Sequence, residues 1–182
     1  MNEAIAEKLI KTLWPAGSDP ATDTVYGVVD CARDPQIWPM VKATDLFKAC
    51  LFAGNVSAAM LAAAPQVIKL TPAAPFTQQL MESGWGNSWG IFVTAARPAG
   101  IKDVRKHLRQ FLLVKSPNGK KLLFRYYDPR VMRVYLPTCN EEECNTLFNP
   151  IVKYVMESAN GESILEFDKP SVLESQKTYS AS

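Results

Sequence analysis

The 182-residue sequence holds a single histidine, His107, so any imidazole-dependent chemistry must pass through that one side chain. Lys106 and Arg109 flank it and disfavour a protonated imidazolium, and a triad would need a serine or cysteine and a carboxylate beside it. The segment Gly86-Asn87-Ser88-Trp89-Gly90 is read as failing the spacing and turn context of a nucleophile elbow. Neither a phosphate loop nor a dinucleotide glycine pattern occurs, which removes the common nucleotide-handling sites. Cysteine is sparse as well. Cys139 and Cys144 stand five apart with no histidine nearby, a poor zinc site, and with Cys31 and Cys50 they are expected reduced and packed as small hydrophobes, with no metal and no cofactor. No apolar run approaches the ~20 residues that cross a bilayer. Glu3 and Glu7 occupy the first amphipathic segment, where a secretory leader would be basic and then apolar. The expectation is a cytoplasmic protein with no membrane insertion of its own. A formal net charge of +2 argues against nucleic acid as the main ligand. The densest basic stretch, Lys102 to Lys121, is interleaved with apolar residues and reads as the solvated faces of a helix and a strand.

What is present is a globular composition, 47% hydrophobic and 21% charged, in a length suited to one domain. The most informative stretch runs Phe124-Arg125-Tyr126-Tyr127-Asp128-Pro129-Arg130-Val131. It opens with strand formers, is stopped by Pro129, and offers Asp128 as a helix cap. Val131, Met132, Val134, Tyr135 and Leu136 then read as one helical face. Arg125, Asp128 and Arg130 therefore crowd a strand-to-helix corner, where they must pair or meet a partner. Upstream, Gly84-Trp85-Gly86-Asn87-Ser88-Trp89-Gly90 combines close-approach glycines with two large packing surfaces.

In chain order, residues 3–14 form an amphipathic helix, 17–23 a polar loop, and 24–30 a buried strand in which Gly27 admits a close neighbour. Asp34-Pro35 repeats the cap-plus-proline start. Short strands follow at 49–52, 66–70 and 89–95, and helices at 57–63, 71–84 and 101–109. Residues 111–115 and 121–127 make a hairpin around Ser116-Pro117-Asn118-Gly119. Asn140 with Glu143 is a capping box, and 151–156 with 163–167 a second hairpin. The pattern predicts an α/β (α+β) fold: a central mixed β-sheet flanked by helices, with a smaller, mostly helical carboxy-terminal lobe. The expected division is 1–127, 128–168, and a mobile polar tail over 169–182.

The order Asp30-Cys31-Ala32-Arg33-Asp34-Pro35, then Gly84 to Gly90, then His107-Leu108-Arg109-Gln110-Phe111-Leu112, then Phe124 to Arg130 carries a resemblance. From Tyr26 to about Phe167 the chain resembles the Tap-type adaptor chaperones of bacterial type VI secretion, which pair a toxic effector with the VgrG spike. The resemblance implies a non-enzymatic adaptor. Its partners would be a cognate effector protein, often held by a hydrophobic amino-terminal segment, and VgrG. The expected mode is burial of apolar effector helices in a groove between the lobes, with Met132, Tyr135 and Leu147 touching the partner. Two other readings stand beside it. One is a small hydrolase or transferase using His107 with Asp30, Asp34 or Asp128, although each aspartate also sits where a helix cap or an arginine partner would place it. The other is an immunity-type protein that neutralises a toxin.

Overall fold

The computed structural model describes residues 1–17, 24–116 and 118–180, with 175–180 described as backbone. Most of the expected 17–23 loop, and Pro117 of the hairpin turn, lie outside the described residues. The framework is a six-stranded sheet in the order β2-β3-β1-β4-β7-β8. Its strands are β1 (Val25–Asp30), β2 (Lys48–Cys50), β3 (Pro65–Lys69), β4 (Gly90–Ala95), β7 (Ile151–Glu157) and β8 (Ile164–Phe167). β5 (Leu113–Lys115) and β6 (Lys121–Leu123) form a separate two-stranded ribbon. The helices are α1 (Glu3–Leu13), α2 (Ile37–Ala43), α3 (Ala58–Ala63), α4 (Pro75–Gly84), α5 (Ile101–Arg109), α6 (Pro129–Tyr135), α7 (Glu141–Leu147) and α8 (Lys169–Ser180).

The α+β class with a central, helix-flanked sheet is what the sequence predicts; the pairing differs. Every neighbouring pair in the sheet is antiparallel. The alternation of strand and helix does set strands parallel across an intervening one: β1 and β2 both run opposite to β3, and β3 and β4 both run opposite to β1. But β3 separates the first two and β1 the second two, so no parallel ladder forms.

β1 is buried along its whole length, and its period-2 alternation feeds two cores. Tyr26 and Val28 join Val67, Ile91, Val93, Tyr154 and Met156 on one face, beneath Val104 and Leu108 of α5, Met132 of α6, Cys144 and Leu147 of α7, and Val172 of α8. Val25 and Val29 join Ile68, Phe92 and Val155 on the other, beneath Leu9 and Leu13 of α1, Ile37 and Val41 of α2, and Phe76 and Leu80 of α4. Each fully buried Leu, Ile, Val or Met stabilises the fold by about 1.5–3 kcal/mol relative to exposure. The layering is therefore helices, sheet, helices.

That layering corrects the predicted division. The hairpin β7–β8, placed by sequence in a carboxy-terminal lobe, extends the central sheet from the edge of β4. α6 and α7 lie in the same covering layer and core as α5, which precedes the expected boundary at 127/128. The chain over 169–180 is helix α8, not a tail. Its start repeats the signal seen elsewhere: Asp168 Oδ1 accepts from the Ser171 amide at 2.8 Å, Pro170 sits in the first turn, and Val172 is buried. A polar surround hid a two-residue apolar anchor, Val172-Leu173, which packs on the core.

Candidate functional site

Three of the motifs singled out in the sequence converge at one end of the sheet. Asp30 ends β1, its carboxylate accepting from Arg125 Nη2 at 2.5 Å and from the Ala32 amide at 3.1 Å. Asp128 caps α6 by accepting from the Arg130 amide at 3.0 Å and takes the Arg130 guanidinium in a fork, Nε at 2.9 Å and Nη2 at 2.6 Å. Arg125 also lies 3.6 Å from Asp128, so the arginine bridges two buried carboxylates. Arg125, Asp128 and Arg130 thus form the corner that the sequence implies, with Asp30 as a fourth member. Burial, helped by the charge of Asp30, pushes the Tyr127 phenol up to about 12. Tyr127 therefore stays neutral beside Arg125, whose guanidinium can only donate to the phenol oxygen.

Burial raises the Asp128 carboxyl, but the Arg130 hydrogen bonds and charge outweigh it and hold the group below its ordinary 3.8. A depressed carboxylate contributes stability above its unfolded value, which is lost as pH falls towards the folded value. Asp128→Asn keeps the cap and loses the charged fork. Because the Arg130 side chain is 44% exposed, the cost is expected to be small, about 1–2 kcal/mol at neutral pH. Denaturant titration checks it: the gap between wild type and variant should shrink from pH 7 to about pH 3.

The tryptophan loop is fastened to the same end by a residue the sequence reading passed over. Glu157, at the end of β7, is 6% exposed and accepts from the Gly86 amide at 2.5 Å and from the Ser88 amide and hydroxyl, each at 3.1 Å. Trp85 Nε1 donates to Gly161 O at 2.8 Å, and Arg33 Nε to Asn87 O at 3.1 Å. Ser88 has φ 57°. Gly86 to Gly90 does meet the spacing of a nucleophile elbow, contrary to the sequence reading. The context differs as that reading held: the turn runs from helix α4 into strand β4, the reverse of a strand-to-helix elbow.

His107 stands apart from this cluster. Its Nε2 lies 2.9 Å from Leu147 O and its ring meets Phe111 edge-on at 4.9 Å. Burial lowers its pKa, opposed by the Leu147 contact, so the imidazole pins α5 to α7 as a neutral ring. Asp34 accepts from the Gln36 amide, a local turn bond. The structure brings Asp30 and Asp128 together, through Arg125, and leaves His107 and Asp34 elsewhere. Among the described residues no cluster of three or more metal-ligating side chains occurs.

Of the three side chains expected to touch a partner, Met132 and Leu147 are buried in the core. The apolar positions of α6 do not share one face: Met132 and Leu136 point inward at i, i+4, while Val134 is 66% exposed. Truncating Met132 or Leu147 would cost about 2–5 kcal/mol through the cavity left, so lost binding there would report the core. Tyr135 is half-buried, its ring edge-on to Phe124 at 4.9 Å. Among the described residues the sheet runs unbroken through both expected lobes, and a depression of about 290 Å³ lined by Leu13, Val25, Thr94 and Lys153 lies along it rather than between lobes. A second depression of about 310 Å³ is lined by residues in and near α2 and α4 such as Met40, Leu46 and Phe76. Another, of about 480 Å³, lies between Phe47, Lys69 and the 97–101 loop. Neither of these two includes a residue from 128–168.

Four of the exposed large apolar side chains cluster instead on the ribbon, while Phe47, Met60, Val134 and Val152 are exposed on other elements. Leu113 pairs with Leu123 and Val114 with Leu122, on opposite faces, and all four are exposed, Leu113 at 61%. A two-stranded ribbon is marginal on its own, and contiguous exposed apolar side chains mark interaction surfaces. Lys115 pairs with Lys121 beyond the apolar rungs. The signal was legible: a Leu-Val strand facing a Leu-Leu strand leaves no polar face to put in water.

A family model described as Domain of unknown function (DUF4123) matches residues 25–146. That span holds β1 to α6 and all but the last residue of α7, including the Asp30–Arg125–Asp128 corner and the ribbon. Comparison with curated proteins and with solved structures gives no match.

Proposed function

The chain belongs to the DUF4123 family, and from that premise we propose that it is an adaptor chaperone that binds a cognate type VI secretion effector and helps load it onto the VgrG spike. The observation that carries this reading is the β5–β6 ribbon, which leaves four large aliphatic side chains exposed beside the half-buried Phe124 and Tyr135. Aliphatic and aromatic anchors of this kind supply interface affinity. The buried ion-paired corner at Asp30, Arg125, Asp128 and Arg130 acts one step back. It fixes the residues that follow the ribbon, so the anchors are presented in one orientation. The partner surface is thus a projecting ribbon rather than a groove.

The test is the full chain carrying Leu113→Ser and Leu123→Ser. Neither side chain is buried, so circular dichroism and Tm should stay within about 2 °C of wild type. Co-purification with the product of the neighbouring effector gene should fall at least about tenfold, and export of that effector should stop. Full capture and export by the variant would overturn the reading. Deleting the gene separates adaptor from inhibitor, since loss of an adaptor stops export, whereas loss of an inhibitor leaves export running and poisons the producing cell.

A further inference from the structure

We infer that the ribbon binds its partner by strand addition to the free edge of β5, and that the partner segment carries an acidic residue followed by two apolar ones. The inference rests on the ribbon being the partner surface and adds the chemistry of what docks there. The register dictates it. Phe124 N donates to Leu112 O at 2.9 Å and Ser116 N to Lys120 O at 2.9 Å, so Leu112, Val114 and Ser116 turn their backbone groups towards β6. By the period of two, the N–H and C=O of Leu113 and Lys115 face away from it, an edge with no strand partner among the described residues. Leu113 is the more exposed member of its pair, and the chain leaving β6 packs Phe124 against Tyr135 beside α6, which favours the β5 edge.

Side chains then set the sequence of the guest. On one face Leu113 lies over Leu123 and Lys115 over Lys121; on the other lies the Val114–Leu122 rung. Like charges directly opposite one another are unfavourable, and residues 113–123 contain three lysines and no acidic residue. No ion pair is formed by Lys115, Lys120 or Lys121 among the described residues. The imbalance is local. Residues 102–121 hold seven basic residues against one acidic, a surplus of six in a chain of net +2, which leaves −4 for the rest. An antiparallel guest strand therefore needs a carboxylate opposite Lys115, an apolar residue opposite Val114 and another opposite Leu113. A second copy of the chain fits poorly, because it would bring two acid-free, three-lysine ribbons together. A membrane fits poorly too, because the polar turn and the lysines sit at the tip, ahead of the leucines.

The probe is the blocked pentapeptide Thr-Glu-Val-Ile-Thr, titrated into the ¹⁵N-labelled full chain. Amide shifts are expected over residues 112–116. The counterpart with lysine in place of glutamate should bind at least about tenfold more weakly. N-methylation of the probe at glutamate and isoleucine, whose amides would face β5, should abolish binding, while N-methylation at valine should leave it. Lys115→Glu, a change at an exposed position, should reverse the preference between the two probes. No shifts with the glutamate probe, equal shifts with both probes, or indifference to N-methylation would overturn the inference. So would the same shifts produced by phosphatidylcholine–phosphatidylserine vesicles, or concentration-dependent shifts without any probe. These failures are separable from failure of the adaptor reading. If Leu113→Ser with Leu123→Ser loses the effector while the probe does not bind, the ribbon is the interface and strand addition is wrong.

Discussion

Gly90→Ala is expected to destabilise the fold by about 4 kcal/mol or more, most of the margin of an ordinary domain. A Cβ at this position would lie 2.2 Å from Val28 O, 2.9 Å from Val29 Cα and 3.0 Å from Val28 C. All three atoms are backbone of β1, the strand that pairs with both β3 and β4 and is buried throughout. No rotamer change relieves such a contact. Relief requires β4 to move off β1, which breaks the ladder at the join between the two cores. At about 2–4 °C per kcal/mol for a chain of this size, Tm should fall by about 8–16 °C. Gly27→Ala provides the graded comparison. Its Cβ would meet Leu80 Cδ2 at 3.1 Å, the end of a side chain that can turn away, so the cost should be about 1 kcal/mol. Thermal unfolding followed by circular dichroism checks both; equal melting of the Gly90 and Gly27 variants would refute the close-approach account.

The elements that the sequence announces are those with a local cause. Asn140 and Glu143 form their reciprocal cap, Asp128 caps α6 as its position before Pro129 suggests, and the two hairpins fall where turn residues separate apolar runs. The features it conceals depend on contacts far apart in the chain. Nothing near Glu157 signals that its carboxylate will fasten a loop 69 residues upstream, because a lone glutamate at a strand end usually faces water. The antiparallel sheet was hidden because β1 separates β3 from β4, a matter of strand order on which local periodicity is silent. The burial of Met132 against the exposure of Val134 was within reach, since i, i+3 and i, i+4 neighbours share a helix face and i, i+2 positions do not. The exposed ribbon was readable for the opposite reason. A helix, strand or loop can hide one apolar face, but a ribbon with two has to leave one uncovered or find a partner.

Glu157→Ala carries the second large effect, expected at about 3–5 kcal/mol. The substitution strands three donors in a buried site, the amides of Gly86 and Ser88 and the Ser88 hydroxyl. A buried donor left without an acceptor costs about 1–3 kcal/mol, and the first two are amides of a turn whose backbone has little freedom to look elsewhere. Ser88 is held at φ 57°, a left-handed conformation costing about 1–2 kcal/mol for a residue with a side chain, and Glu157 holds it there through both groups. Once released, the turn should relax. Trp85, whose indole donates to Gly161 O, should then show a red-shifted, more quenchable fluorescence before global unfolding. Arg33 follows, because its partner Asn87 O belongs to the same turn. Glu157→Gln should fall between: one oxygen remains to accept, while the new amide faces donors it cannot serve. The order wild type, Gln, Ala in both Tm and tryptophan exposure is the expected result. An alanine variant as stable as wild type, with Trp85 still shielded, would mean that the loop holds its shape without the carboxylate.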